Sequence, residues 1–521
     1  MKMTRMLLLL GTLLLAGVVV VSLVACDKAP VIDGPEGDTT TEAPATTVAP
    51  ETTVAPETTV APETTVEDTT VEDTTPEETT VEDTTPEETT TEETTTAEET
   101  TTEEETTTME ETTTEEETTT IPAHEEIGLD VKAEDLKDIM QNVFSGTTSL
   151  KETVMFIDKG DVKTLLFPIE SMISVTSYNG SITYEEGRDY VIVDGKLQVT
   201  EDSRIPCITS AVYYNYPSPD PNIVLRPKDD PTVNLFWGES QMKYWQVAVT
   251  YTHEDNWEGY LQESQLEVYK DFVKKLVDGE DVTVLFYGDS ITWGANSSYA
   301  DNAAPRQGAY PMLFVQALAD LFGYRVKYIN TGLVASMPCH NVPTTDYVSS
   351  TGDRGTITYI NTAIGGWTSE VGVDNFDKFV GDQVENYGCD LLVLAFGMND
   401  GQVSAGVTKS NDKKIIDKLY ALNPNAAVMI VSTMTPHTGA DGWDSANTKG
   451  QERQLLILAN NYRKDGKAVA VACMNSVSKA VQDYKAFNDY AGNNINHPND
   501  WFYRVYAQTL LQTLIGYEYI R

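Results

Sequence analysis

VTVLFYGDSITWGANSS, residues 282–298, runs six apolar, β-branched or aromatic positions almost without a break into Gly-Asp-Ser. A strand buried in an open α/β sheet places reactive groups at its carboxyl end, where the crevice of such sheets lies. Gly, Asp and Ser are also the commonest turn residues, so on this stretch alone a nucleophile and an ordinary turn weigh about equally. The surrounding chain has to decide.

Around it, from Ser264 onward, the hydrophobic period is that of alternating helices and strands. SQLEVYKDFVKKLVD carries Leu266, Val268, Phe272, Val273 and Leu276 on one helical stripe. Strand-like runs follow (VTVLFY, RVKYINTG, DLLVLAFG, AAVMIVST, AVAVACM), separated by helix-like ones such as YPMLFVQALADLF and WFYRVYAQTLLQTLI. Strands apolar on both faces with helices between them predict a parallel sheet in a three-layer α/β domain over residues 263–521. Residues 125–262 read differently. ETVMFID, SMISVTSY, RDYVIVDGKLQVT and YWQVAVTYTH are short strands, with a hairpin turn expected at Asp194-Gly195, so a smaller β-sandwich domain is predicted there. Its aromatic residues, Trp237, Tyr244 and Trp245 among them, suit either a sugar-stacking face or ordinary packing.

The first part of the chain is of another kind. Residues 1–26 set Lys2 and Arg5 before an apolar run ending in Leu23-Val24-Ala25-Cys26, the pattern of an export signal. An uncleaved anchor is the alternative, since the run is long enough to cross a bilayer. LVAC resembles a bacterial lipobox, which implies lipidation at Cys26 and attachment to the outer face of a membrane. Residues 27–124 are dominated by Thr and Glu, with APETTV and VEDTTPEETT repeats. Such a segment buries too little apolar surface to offset the entropy of ordering, so a disordered linker is expected. Residues 39–120 of it hold about 26 of the 81 acidic residues, so much of the net charge of −46 belongs to a tether and says nothing of substrate. Of the other cysteines, Cys207, Cys339, Cys389 and Cys473 show neither a disulfide framework nor metal-ligand spacing with the five histidines. No nucleotide loop, zinc pattern or basic stripe occurs, so cofactors, metals and nucleic acid are not implied.

Four blocks lie at the predicted strand and helix boundaries. They are Gly288-Asp289-Ser290-Ile291, then INTAIGGWTSE with Gly365-Gly366, then LAFGMNDG with Asn399-Asp400, then NNINHPNDW with His497 just before the final helix. In this order the blocks resemble the SGNH, or GDSL-type, hydrolases over roughly residues 263–521, which implies a flavodoxin-like sheet. Carried over, the resemblance makes Ser290 the nucleophile and His497 its general base. The N–H groups of Ser290 and Gly366 and the side-chain amide of Asn399 become the oxyanion hole. Serine needs an adjacent imidazole to take its proton, and the tetrahedral intermediate needs donors already aimed at its oxygen.

One position departs from the family. The residue three before the histidine is usually Asp and here is Asn494, so a Ser–His dyad is expected, with His497 oriented by the carbonyl oxygen of Asn494 or by a backbone carbonyl. Asp500 is expected to cap the last helix. Trp293, Trp367, Trp501 and His437 are candidates for substrate contacts, with packing the default for the tryptophans. His124 and His253 read as surface residues. The resemblance implies a serine esterase. Display outside the cell on a stalk and an added β-domain point to short acyl groups, acetyl foremost, on a carbohydrate or cell-wall polymer. A lipase or lysophospholipase of the same superfamily is one alternative, and a surface glycan-binding protein with an inactive hydrolase domain is another.

Overall fold

The computed structural model describes residues 140 and 142–516, apart from 218–224, 228–229, 239–240, 334–346, 349–351, 439–442 and 444. The expected export signal with Cys26, the expected linker, His124 and Cys339 lie outside the described residues.

The central sheet contains β8 (Val282–Gly288), β9 (Arg325–Tyr328), β10 (Tyr347–Val348), β11 (Thr356–Asn361), β12 (Leu391–Ala395), β13 (Ala427–Val431) and β14 (Val469–Ala472). Its seven strands lie in the order β10-β9-β11-β8-β12-β13-β14, all neighbours parallel except β10, which runs antiparallel to β9. Every residue of β8 is buried, and its side chains divide by the two-residue period of a strand. Val282, Val284 and Phe286 enter one apolar cluster, Leu285 and Tyr287 the other. The first cluster takes in the helices Leu266–Asp278, Tyr310–Phe322 and Asp500–Leu514; the second takes in Ala405–Leu422 and Ala446–Lys464. This is the three-layer α/β fold that the sequence predicts. The chain leaves β8 toward β9 on one side, returns through β11, and then continues through β12 on the other. The carboxyl end of β8 is therefore the switch point of the sheet, where a crevice opens.

Ahead of it, β1 (Thr148–Met155), β3 (Ser171–Ser177), β4 (Thr183–Tyr184) and β7 (Gln246–Thr252) form a sheet in the order β1-β7-β3-β4, and β2 (Val162–Lys163), β5 (Tyr190–Val193) and β6 (Lys196–Val199) form a second in the order β2-β6-β5. All their pairings are antiparallel. The hairpin turns at Asp194-Gly195, with φ of 51° and 70°, so both turn residues are left-handed as a type I′ turn requires. The apolar run around Leu165–Phe167 is buried without joining a sheet beyond the two residues of β2. His253, read from sequence as a surface residue, is buried and stacks on Phe167 at 3.8 Å. Cys207, Cys389 and Cys473 are free thiols.

These sheets and the α/β layers share one contiguous apolar cluster. Polar bonds cross between them as well. Gln246 donates to the carbonyls of Asn488 and Ala491, Asn499 donates to Thr153 and Gln246, and the N–H of Met155 donates to Asp489 at 2.9 Å. All of these reach the segment that carries His497.

Candidate active site

The site is assembled from three adjacent strand ends and one late loop. At the end of β8, Gly288 is required by close approach: a Cβ there would meet Ala395 O of β12 at 2.4 Å and Thr292 Oγ1 at 2.5 Å. Asp289 then caps the short helix Ser290–Trp293 by accepting the N–H of Ile291 at 3.0 Å. Burial pushes its carboxyl up to about 7, against the pull of that N–H and with Asp400 adding to the rise. Asp289 thus organises the turn, and Ser290 emerges from it with its Oγ 2.9 Å from His497 Nε2. The short stretch that looked equally like a turn is both a capped turn and the seat of a serine facing an imidazole.

After β11, Gly365 stands beside the serine, since a Cβ on it would lie 3.8 Å from that of Ser290. Gly366 has φ of 77°, so glycine there serves the left-handed backbone itself. After β12, the Asn399 amide donates to Trp367 O at 3.0 Å, and Asp400 accepts both the N–H and the hydroxyl of Ser369, the latter at 2.6 Å. The Asn399-Asp400 turn is in this way bolted to the Gly365–Ser369 turn. Donors held rigidly are what an oxyanion hole needs, and losing one typically costs about 10²–10³ in rate.

The fourth block forms a tight loop between the bridge partners Ala491 and Pro498. The Asn493 side chain fills it, its Oδ1 accepting the N–H groups of Ile495, Asn496 and His497 at 3.0 Å each. Burial lowers the His497 imidazole to about 4, so it is neutral at ordinary pH and free to accept the serine proton.

Three expectations are corrected here. Asn494 does not face His497: its amide donates to Phe236 O at 2.7 Å and to the Tyr213 hydroxyl at 3.1 Å, both in the segment between β6 and β7. The group 2.6 Å from His497 Nδ1 is instead Asn296 Oδ1, in the loop that follows the nucleophile. Asp500 is not the cap of the last helix; Asn499 is, accepting the N–H of Phe502, while Asp500 accepts the N–H of Ser298 at 2.7 Å. Trp501 is fully buried with the Lys485 ammonium over its ring, so it is a core residue and no substrate contact. Trp293 and Trp367 are half-buried beside Ser290 and Gly366, Trp367 packing edge-on to Phe379 at 4.7 Å. His437 stacks on Phe487, and its Nδ1 lies 2.9 Å from Asn494 O, so it braces the histidine loop.

The position of Asn494 leads to a definite expectation. Asn494→Asp restores the residue usual in the family, yet it puts a carboxylate oxygen against the Phe236 carbonyl in a site without solvent. We expect a loss of about 3 kcal/mol in denaturant unfolding, from the buried unpaired acceptor, and no gain in activity. A variant more active than the parent would mean that residue 494 does reach His497.

A serine and a neutral imidazole in hydrogen-bond contact at the switch point of a parallel sheet are the arrangement that a serine hydrolase uses. Residues 284–510 match the family model of GDSL-like lipases/acylhydrolases. No curated protein matches the sequence. Among solved structures, the chain is similar to a two-domain esterase (CEX) active on acetylated mannans, at 19% identity and a TM-score of 0.33, over 48% of this chain and 54% of that one. The chain thus spans about half of that esterase. A lipase/acylhydrolase from Enterococcus faecalis (16% identity, TM-score 0.30) is matched over 44% of this chain and 94% of its own. A carbohydrate esterase family 3 protein from Talaromyces cellulolyticus (16%, 0.30) is matched over 44% and 97%.

Proposed function

We propose that the protein is an extracellular, lipid-anchored esterase that removes short acyl groups, acetyl foremost, from a carbohydrate or cell-wall polymer. The observation that carries the reaction is the 2.9 Å contact between Ser290 Oγ and His497 Nε2. Ser290 attacks the ester carbonyl as His497 takes its proton. The donors of the neighbouring turns receive the oxyanion, and the imidazolium returns its proton to the departing alkoxide. Water, activated by the same imidazole, then releases the acid.

The substrate class rests on the surroundings of the serine. The half-buried Asn399, Trp293 and Trp367 lie in the turns that follow the strand ends around it, a mixture of amide and aromatic groups suited to a hydroxylated ring carrying a small ester. The signal-like first 26 residues and the Thr/Glu tether support display outside the cell. The test is turnover of 4-nitrophenyl acetate, butyrate and decanoate by the full chain, followed by acetate release from acetylated polysaccharides. Turnover is expected to fall steeply from acetate to decanoate. A profile that rises with chain length would overturn the short-acyl reading in favour of a lipase.

A further inference from the structure

His497 must present a bare Nε2 to the serine, so its other ring nitrogen carries the proton and requires an acceptor. Three features single out one side chain. Asn296 Oδ1 lies 2.6 Å from Nδ1, and Asn296 is buried. Its backbone has φ of 64°, a left-handed conformation that Asn tolerates better than most residues. Its approach is made room for: a Cβ on Gly492 would come within 2.5 Å of the Asn296 Cβ, so glycine at 492 is what lets the two loops meet.

The loop bearing Asn296 is clamped on both sides by the last helix. Tyr503 donates to Ala295 O at 2.6 Å, and the N–H of Ser298 donates to Asp500 at 2.7 Å. Asn493 Nδ2 also lies 3.0 Å from Nδ1, but its own oxygen is bound by three backbone N–H groups, which turns the NH₂ inward. One of those hydrogens goes to Asn496 Oδ1 at 3.1 Å. Asn493 has no acceptor left to offer.

We propose that Asn296 is the positioning residue of the catalytic histidine, accepting the Nδ1 proton through a neutral amide in place of the carboxylate usual in such hydrolases. The inference rests on the Ser290–His497 reading above. It differs from a carboxylate arrangement in its electrostatics. A carboxylate favours the imidazolium and raises the histidine's proton affinity, whereas an amide fixes the tautomer without doing so. The ionisable groups on the elements packed around His497 are otherwise engaged. Asp289 holds the Ile291 N–H, Asp489 pairs with Lys163 and the Met155 N–H, and Asp500 holds the loop at Ser298, with the Lys243–Asp301 pair and Arg504 behind. The lowered proton affinity of His497 is consistent with this. Protonation removes the base, so kcat/KM falls only as pH drops through the low histidine pKa. The acid limb is expected near 4, well below the ordinary histidine value of 6.5.

The experiment compares the parent with Asn296→Ala and Asn296→Asp in ester hydrolysis across pH. Asn296→Ala is expected to lower kcat about 10²-fold with KM nearly unchanged, because the tautomer is no longer held. Asn296→Asp is expected to recover most of that loss at neutral pH and to move the acid limb upward by about one pH unit or more. An alanine variant with the parent's kcat and profile overturns the proposal. So does an aspartate variant whose acid limb stays in place, or a parent limb at 6.5 or above. Should a variant fail to fold, ¹⁵N-histidine NMR of the parent decides: Nδ1–H at His497 is expected, and an Nε2–H tautomer overturns the proposal. Silent Asn296 variants in an enzyme that Ser290→Ala inactivates defeat this inference alone, whereas a silent Ser290→Ala defeats the esterase reading itself.

Discussion

Ser290→Ala is expected to lower kcat/KM for 4-nitrophenyl acetate by about 10⁴-fold or more while leaving the unfolding midpoint almost unchanged. The hydroxyl is the only atom removed, and its one described partner is His497 Nε2 at 2.9 Å, so little packing is lost with it. His497→Ala should cost about as much, because without the base the hydroxyl is a poor nucleophile. The double variant should then be no slower than either single one, since the two groups act as a unit. What remains would reflect binding and the donors proposed at Gly366 and Asn399. A Ser290→Ala protein that keeps its activity would show that hydrolysis occurs elsewhere.

Lys485→Met is expected to destabilise the protein by roughly 3–5 kcal/mol, the cost of stranding a buried charge. Glu152 and Lys485 are both fully buried, with Nζ 2.6 Å from Oε1. The carboxylate is otherwise saturated: it accepts the Leu166 N–H at 2.9 Å, the Tyr251 hydroxyl at 2.7 Å and the Ser149 hydroxyl at 3.2 Å. The ammonium in turn sits over the Trp501 ring. Removing the lysine leaves the Glu152 carboxylate without its partner in a dry site. The Glu152→Gln/Lys485→Met double variant removes both charges and should recover much of the loss. Thermal unfolding should fall by several degrees in the single variant. A drop under about 1 kcal/mol would mean that the pair is far better solvated than its burial indicates.

How much of this was legible from residues follows from where the signal lay. The β8 strand, the Ser290 turn and the Asn399 turn could be read because each sits at the end of a strand apolar on both faces, and a local run of seven or eight residues displays that. The acceptor for His497 could not. Asn296 lies 201 positions away from it, and in Gly-Ala-Asn-Ser-Ser it looks like one more loop residue. Only the fold turns those two loops face to face. Asn494 misled for the opposite reason. Its spacing from the histidine matched a familiar pattern, but a carbonyl and a hydroxyl from the segment between β6 and β7 claim its amide. Trp501 and His253 show a further limit. Every residue of the helix Asp500–Leu514 is buried, so no amphipathic stripe distinguishes its inner face from a rim.

The bonds that tie the histidine loop to the first sheets also govern when activity can arise. During synthesis the strands β1 to β7 are made well before residues 485–499, which carry the base. The nucleophile's loop is likewise unclamped until Asp500 and Tyr503 arrive. No intermediate length of chain therefore holds a working site, and contacts spanning hundreds of residues are slow to close. Activity stays silent until the first sheets and the histidine loop have met, which makes turnover a report on completion of the fold from β1 to the last helix.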